Sequence, residues 1–483
     1  MAITFSFLLF NLKIGMCLVS ETYCSKENYQ RSNFIDFVKE LLGDVTTANG
    51  YNYGTKDNQG YGLHTLKIIG NPLGGYLGVY HSDINDTFCV RLANSSDLLH
   101  WNYITTIELN ASQPTIAKAP NGAYLIALEK EDSSSHLQVR YYLNITTLIT
   151  NSPEFIIDLP RNLSQEHEGT PNFYNISIND NVMSAYIGFH YDNTTTNADE
   201  VAVGCLTVPL DRPEDWNWEV DIQKEYNNKL RQHYHVKGNI GDRDYGHIFG
   251  RTFTVQEGCL AQRNDHWAYW RIFLYDHSKR NFTMLNIKTH YNATSFGNPT
   301  FTFLTSPNGK QCIVVTYFIF SEGLPDRLKD KAGELIFYKE FDSYEKTVHF
   351  KGNDYSLAVY SNSTVIDFNF NETTRTISFN VSGLECSKGY CIIELQNSLI
   401  LDLWQGNYTV LFDGQPWPFE DWATSEYTYI YLNYSHTEHE IKIVPELSCI
   451  ITLALLVGLV ILILYKNKRK EIARAEDKSF LKG

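Results

Sequence analysis

Residues 297–320 read GNPTFTFLTSPNGKQCIVVTYFIF, and GELIFYKEF follows at 333–341 after a short polar stretch. The first run is rich in aromatic and β-branched residues, which favour strands. Pro-Asn-Gly at 307–309 is typical of a tight turn. Apolar runs on both sides of such a turn predict an antiparallel hairpin. Together with the strand that follows, this stretch predicts one small sheet of three or four strands.

The same order of loop, extended run, turn and aromatic-rich strands occurs four more times upstream. The five copies begin near residues 64, 113, 168, 242 and 297. Because one small sheet cannot bury both of its faces, repeated sheets pack against one another, commonly around a shared axis. We therefore predict an all-β chain in which residues 60–345 form a five-bladed β-propeller. A long β-sandwich is the alternative.

The chain changes character after residue 350. Residues 354–444 alternate apolar and polar side chains with a period of two, which predicts a half-buried antiparallel sheet. We expect a separate β-sandwich stalk domain there. Residues 447–465 (LSCIITLALLVGLVILILY) form an uncharged apolar run of bilayer-spanning length, and basic KNKRK follows it. This run predicts a single C-terminal transmembrane helix with the preceding chain outside the cytoplasm.

The predicted topology is that of a single-pass type I protein of the cell membrane. Residues 1–20 are expected to be a signal peptide, with an uncleaved anchor as the alternative. Residues 21–59 form an N-terminal segment, and residues 466–483 a cytoplasmic tail. The segment predicted to lie outside carries fourteen Asn-X-Ser/Thr sequons, which predict a glycoprotein. They are at Asn85, Asn94, Asn110, Asn144, Asn162, Asn175, Asn193, Asn281, Asn292, Asn362, Asn371, Asn380, Asn407 and Asn433.

Charge and cysteine usage narrow the function classes. Lys and Arg number 40 against 55 Asp and Glu, a net charge of −15. Nucleic-acid binding needs a cationic surface that neutralises phosphates, so that class is excluded. The cysteines outside the predicted signal peptide and membrane span are odd in number and dispersed, unlike a disulfide framework. Cys386 and Cys391 flank a short turn. The sequence alone does not decide between a disulfide and two free thiols at these positions.

Several motifs in the five copies resemble those of the five-bladed propeller glycosidases, the group that contains arabinanases, xylosidases and invertase-like enzymes. Ser95–Trp101 (SSDLLHW) resembles the turn that closes their first blade. Gly74–Tyr76 and Gly122–Tyr124 resemble their Gly-x-Tyr strand starts, and Glu168-Gly169 resembles the third-blade Glu-Gly pair. The C-terminal domain resembles membrane-proximal β-domains of archaeal surface proteins.

Glycoside hydrolysis needs two carboxyl groups on opposite sides of the scissile bond. The resemblance implies that Glu168 is the general acid, on the innermost strand of the third blade. It also implies an Asp in the second blade, where Thr115 stands, and an Asp in the first. The first strand, residues 64–67, has no carboxylate, and Asp57 lies upstream in a predicted loop.

The start of the fourth copy, IGDRDY at 240–245, offers a replacement for the missing acids. We expect Asp242 or Asp244 to lie near the axis as the carboxylate opposite Glu168. The alternative is that both Asp residues flank Arg243 in a structural salt bridge. Sugar pockets combine acids, Arg and aromatic rings. The predicted substrate-binding residues are Thr115, Arg243, His247, Arg251, Glu257 and Asn298.

These residues predict a cell-surface, glycosidase-like protein with an axial carbohydrate-binding pocket, which hydrolyses glycosidic bonds by carboxylate acid–base catalysis. A non-catalytic carbohydrate-binding or adhesion module on a membrane-anchored stalk is the alternative, and a purely structural surface protein is a third. The expected partners are an oligo- or polysaccharide and the membrane. No cofactor motif is present. A His-x-His pair such as His233 and His235 can bind metal, but no third ligand is nearby, so no metal site is predicted. Glu129, beside Lys130 and Glu131, is expected to be solvated.

Overall fold

The structure is a computed structural model that describes residues 33–132, 134–241, 243–262, 267–446 and 466. The predicted signal peptide lies outside these residues, as do the apolar run at 447–465 and all of the predicted tail except Lys466. Within the described part of the sequence, no helix has both the length and the apolar character needed to cross a bilayer.

The described residues start with α1 (Phe34–Gly43) and β1 (Gly50–Asn52). Asn33 caps α1, since its side chain accepts a hydrogen bond of 3.1 Å from the Asp36 N–H. The apolar face of α1, which includes Phe34 and Val38, is buried.

Residues 64–284 form four antiparallel sheets, each with four strands in sequence order. The first contains β2 (His64–Gly70), β3 (Tyr76–Asp83), β4 (Phe88–Ser95) and β5 (Asn102–Leu109). The second contains β6 (Ala111–Lys118), β7 (Tyr124–Glu131), β8 (Ser135–Tyr142) and, after α2 (Ile145–Ile149), β9 (Phe155–Asp158). The third contains β10 (Glu168–Asn179), β11 (Val182–Asn193), β12 (Ala198–Pro209) and β13 (Asn217–Ile222). The fourth follows α3 (Lys224–Tyr234) and contains β14 (Arg243–Ile248), β15 (Arg251–Cys259), β16 (Trp270–Asp276) and β17 (Asn281–Met284).

The fifth sheet joins distant parts of the sequence. It contains β18 (Phe296–Thr305), β19 (Gln311–Ile319) and β20 (Gly333–Phe350), and β1 pairs with β20 as the fourth strand. Its register places Gly50 opposite Tyr338 and Asn52 opposite Ile336. A segment from the N-terminal part of the protein therefore completes the last blade.

The five sheets surround one axis. The first strands of neighbouring sheets contact each other in the order β2, β6, β10, β14 and β18, and β18 contacts β2 again. This closed ring of inner strands is a five-bladed β-propeller, so the predicted all-β fold and propeller are confirmed. The core lies between the blades, where Leu125, Ile187 and Phe189 are fully buried.

The C-terminal part is a β-sandwich. Its strands and helix are β21 (Asn353–Ser361), β22 (Thr364–Asn371), β23 (Thr376–Ser382), β24 (Lys388–Gln396), α4 (Asn397–Trp404), β25 (Tyr408–Phe412), β26 (Gln415–Pro416), β27 (Glu420–Ala423), β28 (Tyr427–Ser435) and β29 (Glu438–Pro445). One sheet has the order β20-β21-β24-β28-β27 and the other β22-β23-β29-β25-β26. Their inner faces share one apolar core that includes Ile393, Ile430 and Ile443.

Propeller and sandwich are joined by continuous structure. Strand β20 belongs to the fifth blade in its first half and to the sandwich in its second half. Of the residues 346–353 between the two predicted domains, 346–350 therefore continue β20, 351–352 form the turn, and Asn353 starts β21. Helix α1 packs in the same apolar cluster as blade residues and Tyr431 of the sandwich. Cys391 is free and buried, so the disulfide with Cys386 is not formed.

Candidate functional site

The inner strands share a backbone irregularity at the end of the propeller where they begin. A bulge interrupts the register of β2, β6, β10 and β18. Each bulge contains a non-glycine residue with positive φ: Thr65 (55°), Gln113 (49°), Thr170 (43°) and Asn298 (47°). L-residues pay a steric penalty in this region, and such strain clusters at functional sites. We call this end of the propeller the mouth.

At three of these bulges, the backbone N–H of the residue with positive φ donates to a side chain of the preceding blade. The N–H of Gln113 donates to His81 Nδ1 at 3.2 Å. The N–H of Thr170 donates to Glu129 Oε2 at 3.1 Å, and the N–H of Asn298 donates to Glu257 Oε2 at 2.7 Å. The three acceptors occupy the same position on the second strand of their sheets. A structural role for Glu129 and Glu257 is thus to fix the mouth backbone.

Glycines make room for the two carboxylates. A Cβ atom on Gly169 would overlap Glu129 Oε2, and one on Gly241 would overlap Glu257 Oε1. Glu129 and Glu257 are 5% and 6% exposed. The prediction that Glu129 is solvated is therefore wrong, because its side chain turns inward against Gly169 while Lys130 points to Glu108 on the other face.

An ion pair joins two inner strands beyond the bulges. Lys67 of the first blade pairs with Asp244 of the fourth, although these blades are not neighbours. Asp244 also accepts the Phe301 N–H at 2.9 Å, and Lys67 donates to the Phe301 carbonyl at 2.9 Å. Burial raises the pKa of Asp244, and Lys67 acts in the opposite direction. This pair forms a floor beneath the mouth.

One side of the mouth carries a strip of aromatic rings, which we call the aromatic strip. It comprises His64, Phe318, Phe320 and Trp267. Neighbouring ring centroids are 5.0 Å apart for His64 and Phe318, 5.2 Å for Phe318 and Phe320, and 5.0 Å for Phe320 and Trp267. Trp267 is 42% exposed. The strip runs from the first blade through the fifth to the fourth.

The side formed by the second and third blades carries carboxylates and imidazoles. The Nε2 atoms of His167 and His190 lie 2.7 Å apart, and His167 Nδ1 lies 3.5 Å from Glu129 Oε1. Asp199 Oδ2 lies 3.9 Å from His190 Nε2. Thr170 Oγ1 bonds to His190 Nδ1 at 2.5 Å. We call Glu129, His167, His190 and Asp199 the imidazole cluster.

Burial dominates the protonation of this cluster. It raises the pKa of Glu129, against the effect of nearby His167, and raises the pKa of Asp199 to about 6. It holds the pKa of His190 well below its usual value, and His167 adds to this effect. His190 is therefore neutral at physiological pH.

Glu168 lies at the start of β10 but is turned towards its own loop. Its Oε1 accepts the N–H groups of Asn162, Leu163 and Ser164 at 2.8, 2.6 and 3.1 Å. Only 1% of the residue is exposed. Burial raises its pKa, while the three N–H groups act in the opposite direction. The structure thus uses this carboxyl to fix the 162–164 loop beside the mouth.

The other predicted catalytic acids have different surroundings. Asp242 lies outside the described residues, and Asp244 forms the ion pair with Lys67. Arg243 points away from Asp244, towards the third blade, where it donates to the Ala202 carbonyl at 3.2 Å. Thr115 is buried on β6 just after its bulge.

Two predicted substrate-binding residues lie at the opposite end of the fourth blade. His247 is exposed beside the turn between β14 and β15, where its Nδ1 lies 3.1 Å from Thr252 Oγ1. Arg251 is buried between the propeller and the sandwich, and it pairs with Asp276 and with Glu420 of β27. The structure does not bring these two residues to the mouth, because β14 starts at the mouth and both positions flank the turn at its far end.

His167, His190 and Trp267 were not among the predicted site residues. His190 occupies the position on its strand that His81, Glu129, Glu257 and Phe318 occupy on theirs. Aligning the second strands of the five copies would have shown four polar residues at one position of otherwise apolar strands.

Comparison with known proteins finds resemblance only at the level of solved structures. No protein-family model matches the sequence, and no curated protein is significantly similar to it. An α-L-arabinofuranosidase from Lactobacillus brevis aligns with a TM-score of 0.40 and 9% identity, covering 59% of this sequence and 94% of the other. An exo-β-1,3-galactanase from Phanerochaete chrysosporium gives 0.34 and 11% over 82% and 96%. A β-1,3-galactosidase solved with galactodeoxynojirimycin gives 0.34 and 11% over 62% and 96%.

These three names describe glycoside hydrolases, and none describes an archaeal surface protein. TM-scores below 0.5 with identities of 9–11% are too low to carry an argument about fold or activity. The fold of this protein therefore rests on its own sheet order and ring of contacts, and its function on the chemistry of the mouth.

Proposed function

We propose that the protein binds carbohydrate at the mouth of the propeller. The observation that supports this most is the aromatic strip, with Trp267 42% exposed, beside polar side chains held on strained bulges. Sugar rings have apolar C–H faces and hydroxyl edges, so they are recognised by exposed rings combined with a few fixed polar groups. Gln113 and Asn298 supply amide groups at the bulges.

Binding is favoured over hydrolysis by the state of the carboxyl groups. Hydrolysis needs two carboxyls that can reach opposite sides of one glycosidic bond. Among the described residues, Glu168, Glu129 and Glu257 accept backbone N–H groups, and Asp244 is paired with Lys67. Carboxyls committed in this way position the mouth rather than exchange protons with a substrate. Hydrolysis by Glu168 and Asp242 is the competing function.

Replacing Trp267 by Ala should weaken glycan binding about 10-fold or more, since an exposed ring that stacks on a sugar contributes on the order of 1.5 kcal/mol. A glycan array identifies ligands of the full-length protein, and titration calorimetry measures the affinity for them. Tyr186→Ala is the matched control, because Tyr186 is also 45% exposed but lies on the third blade far from the strip.

Equal affinity of the Trp267→Ala and Tyr186→Ala variants would contradict the proposed site.

The same ligands are then incubated with the wild-type protein and with Glu168→Gln, and released sugars are measured. We expect no turnover by either protein. Turnover by the wild type that is abolished in Glu168→Gln would establish the hydrolase instead.

We also propose that the protein presents this site on the outer surface of a membrane, from an anchor at residues 447–465. The positions of the sequons support this. Eleven of the fourteen sequon asparagines are exposed, Asn193 and Asn380 are half-buried, and Asn433 is buried. Asparagine must be accessible to carry a bulky glycan.

Expression in a eukaryotic secretory pathway should give glycans on the exposed sequons and none on Asn433, which is 8% exposed on β28. Mass spectrometry of peptides after enzymatic deglycosylation measures the occupancy of each site. A protein without any glycan would contradict the surface location. Modification of Asn433 to the same extent as Asn371, which is exposed in the sandwich, would contradict the fold there.

A further inference from the structure

We propose that Glu129, His167 and His190 bind a divalent transition-metal ion, zinc by preference, at the mouth of the propeller. A carboxylate oxygen and a nitrogen from each imidazole lie within 4.8 Å of one another in this group. Two imidazoles and a carboxylate form a common protein ligand set for zinc, in which the fourth position stays open. The inference does not depend on carbohydrate binding.

The spacing of the nitrogens fits such a site. Two nitrogens bound to zinc at about 2.0–2.1 Å lie roughly 3.3 Å apart in tetrahedral geometry. His167 Nε2 and His190 Nε2 are 2.7 Å apart, so the two nitrogens must separate slightly on binding. The His167 side chain is 34% exposed and that of His190 6%, so His167 is the ring with room to move. Asp199 Oδ2, 3.9 Å from His190 Nε2, lies outside this ligand group and adds a carboxylate beside it.

His190 is oriented as metal-binding histidines are. Its Nδ1 bonds to the Thr170 hydroxyl at 2.5 Å, which leaves Nε2 directed at His167. A hydrogen bond to the other ring nitrogen fixes the orientation of metal-ligating imidazoles. His81, at the same position of the first blade, instead accepts a backbone N–H from the next blade. His190 therefore does not have the structural role that His81 has in the first blade.

Charge and access favour a cation in the cluster. Within the cluster, Glu129 Oε1 lies 3.5 Å from His167 Nδ1 and Asp199 Oδ2 lies 3.9 Å from His190 Nε2, and His190 is neutral. A divalent ion would offset the negative charge of both carboxylates at once. The side chain of His167 is 34% exposed, so an ion can enter from solvent on that side. Gly169 leaves room for the Glu129 carboxylate, because a Cβ atom on residue 169 would overlap Oε2.

Titration of the full-length protein, freed of metal, with Zn²⁺ alone should show one tight site per molecule. Co²⁺ in its place should give the visible absorption of a four- or five-coordinate ion with nitrogen ligands. His167→Ala and His190→Gln should each lower the Zn²⁺ affinity more than about 100-fold, and Thr170→Ala about 10-fold, with recovery in Thr170→Ser. Ca²⁺ and Mg²⁺ should not compete, since they prefer oxygen ligands.

The matched control is the double variant His233→Ala/His235→Ala, which removes a surface His-x-His pair at the end of α3. It should leave the tight site unchanged. His167 is the most exposed of the three ligands, so His167→Ala is the variant that should disturb folding least. Circular dichroism checks the fold of each variant. Absence of tight Zn²⁺ binding by the wild type would overturn the proposal. So would a folded His167→Ala protein that binds Zn²⁺ like the wild type, or loss of the site in the control.

Discussion

Replacing Asp57 by Asn should destabilise the propeller by about 3–5 kcal/mol, because it leaves the charge of Arg91 buried without its partner. The Asp57 side chain is fully buried and that of Arg91 is 2% exposed. Asp57 Oδ2 also accepts the Tyr80 hydroxyl at 2.7 Å, and Oδ1 accepts the N–H groups of Gln59 and Tyr61 at 2.9 and 3.1 Å. One carboxylate therefore holds the loop before the first blade to two strands of that blade.

Chemical denaturation of the full-length protein measures this loss as a lower free energy of unfolding. Asp342→Asn is the matched control, since Asp342 pairs with Lys310 on the surface, with side chains 55% and 47% exposed. An exposed pair contributes about 0–1 kcal/mol. Equal effects of the two substitutions would show that Asp57 and Arg91 are not a buried pair.

Replacing Glu334 by Gln should stabilise the protein at pH 8 by on the order of 4 kcal/mol and remove a pH dependence. Glu334 lies on β20, and burial raises its pKa from 4.5 to about 8. Its Oε1 accepts the Leu66 N–H at 3.4 Å. Burial outweighs the hydrogen bonds from Leu66, Thr316 and Thr65, which act in the opposite direction. The folded protein therefore holds a proton on this carboxyl at pH 7, which the unfolded chain releases.

Because the folded-state pKa lies above the unfolded one, the stability contributed by this group is complete below pH 4.5. It is lost as the pH rises towards 8. The free energy of unfolding of the wild type should fall between pH 5 and 8.5. That of Glu334→Gln should change less over the same range. Glu345→Gln, on the exposed part of the same strand, should keep the wild-type slope. Parallel curves for wild type and Glu334→Gln would contradict a protonated Glu334.

The β-rich fold was predictable because its signals are local. The hairpin at 297–320 is β18 and β19, with the predicted turn at 307–309 between them. Alternating apolar and polar residues place one face of each strand in the core, wherever the strand lies in the molecule. The period-two pattern after residue 350 likewise corresponds to the strands of the sandwich.

The candidate site was predictable only in part. Asn298 and Thr115 lie on or just after bulges of the inner strands, as expected for residues near the axis. Arg251 lies at the other end of its blade, since the length of a strand and the place of its turn decide which end a residue reaches. Glu129 looked solvated because its neighbours in sequence are charged, but its surroundings come from Gly169 of the next blade.

The sequence by itself determined the all-β class, the five repeated sheets and the change to a sandwich, because periodicity and turn chemistry act within a few residues. Only the tertiary structure decided that β1 completes the fifth blade and that β20 continues into the sandwich. It also brought Glu129 to His167 and His190, and Lys67 to Asp244. These contacts join different blades, and their geometry exists only once the blades have packed around the ring of inner strands.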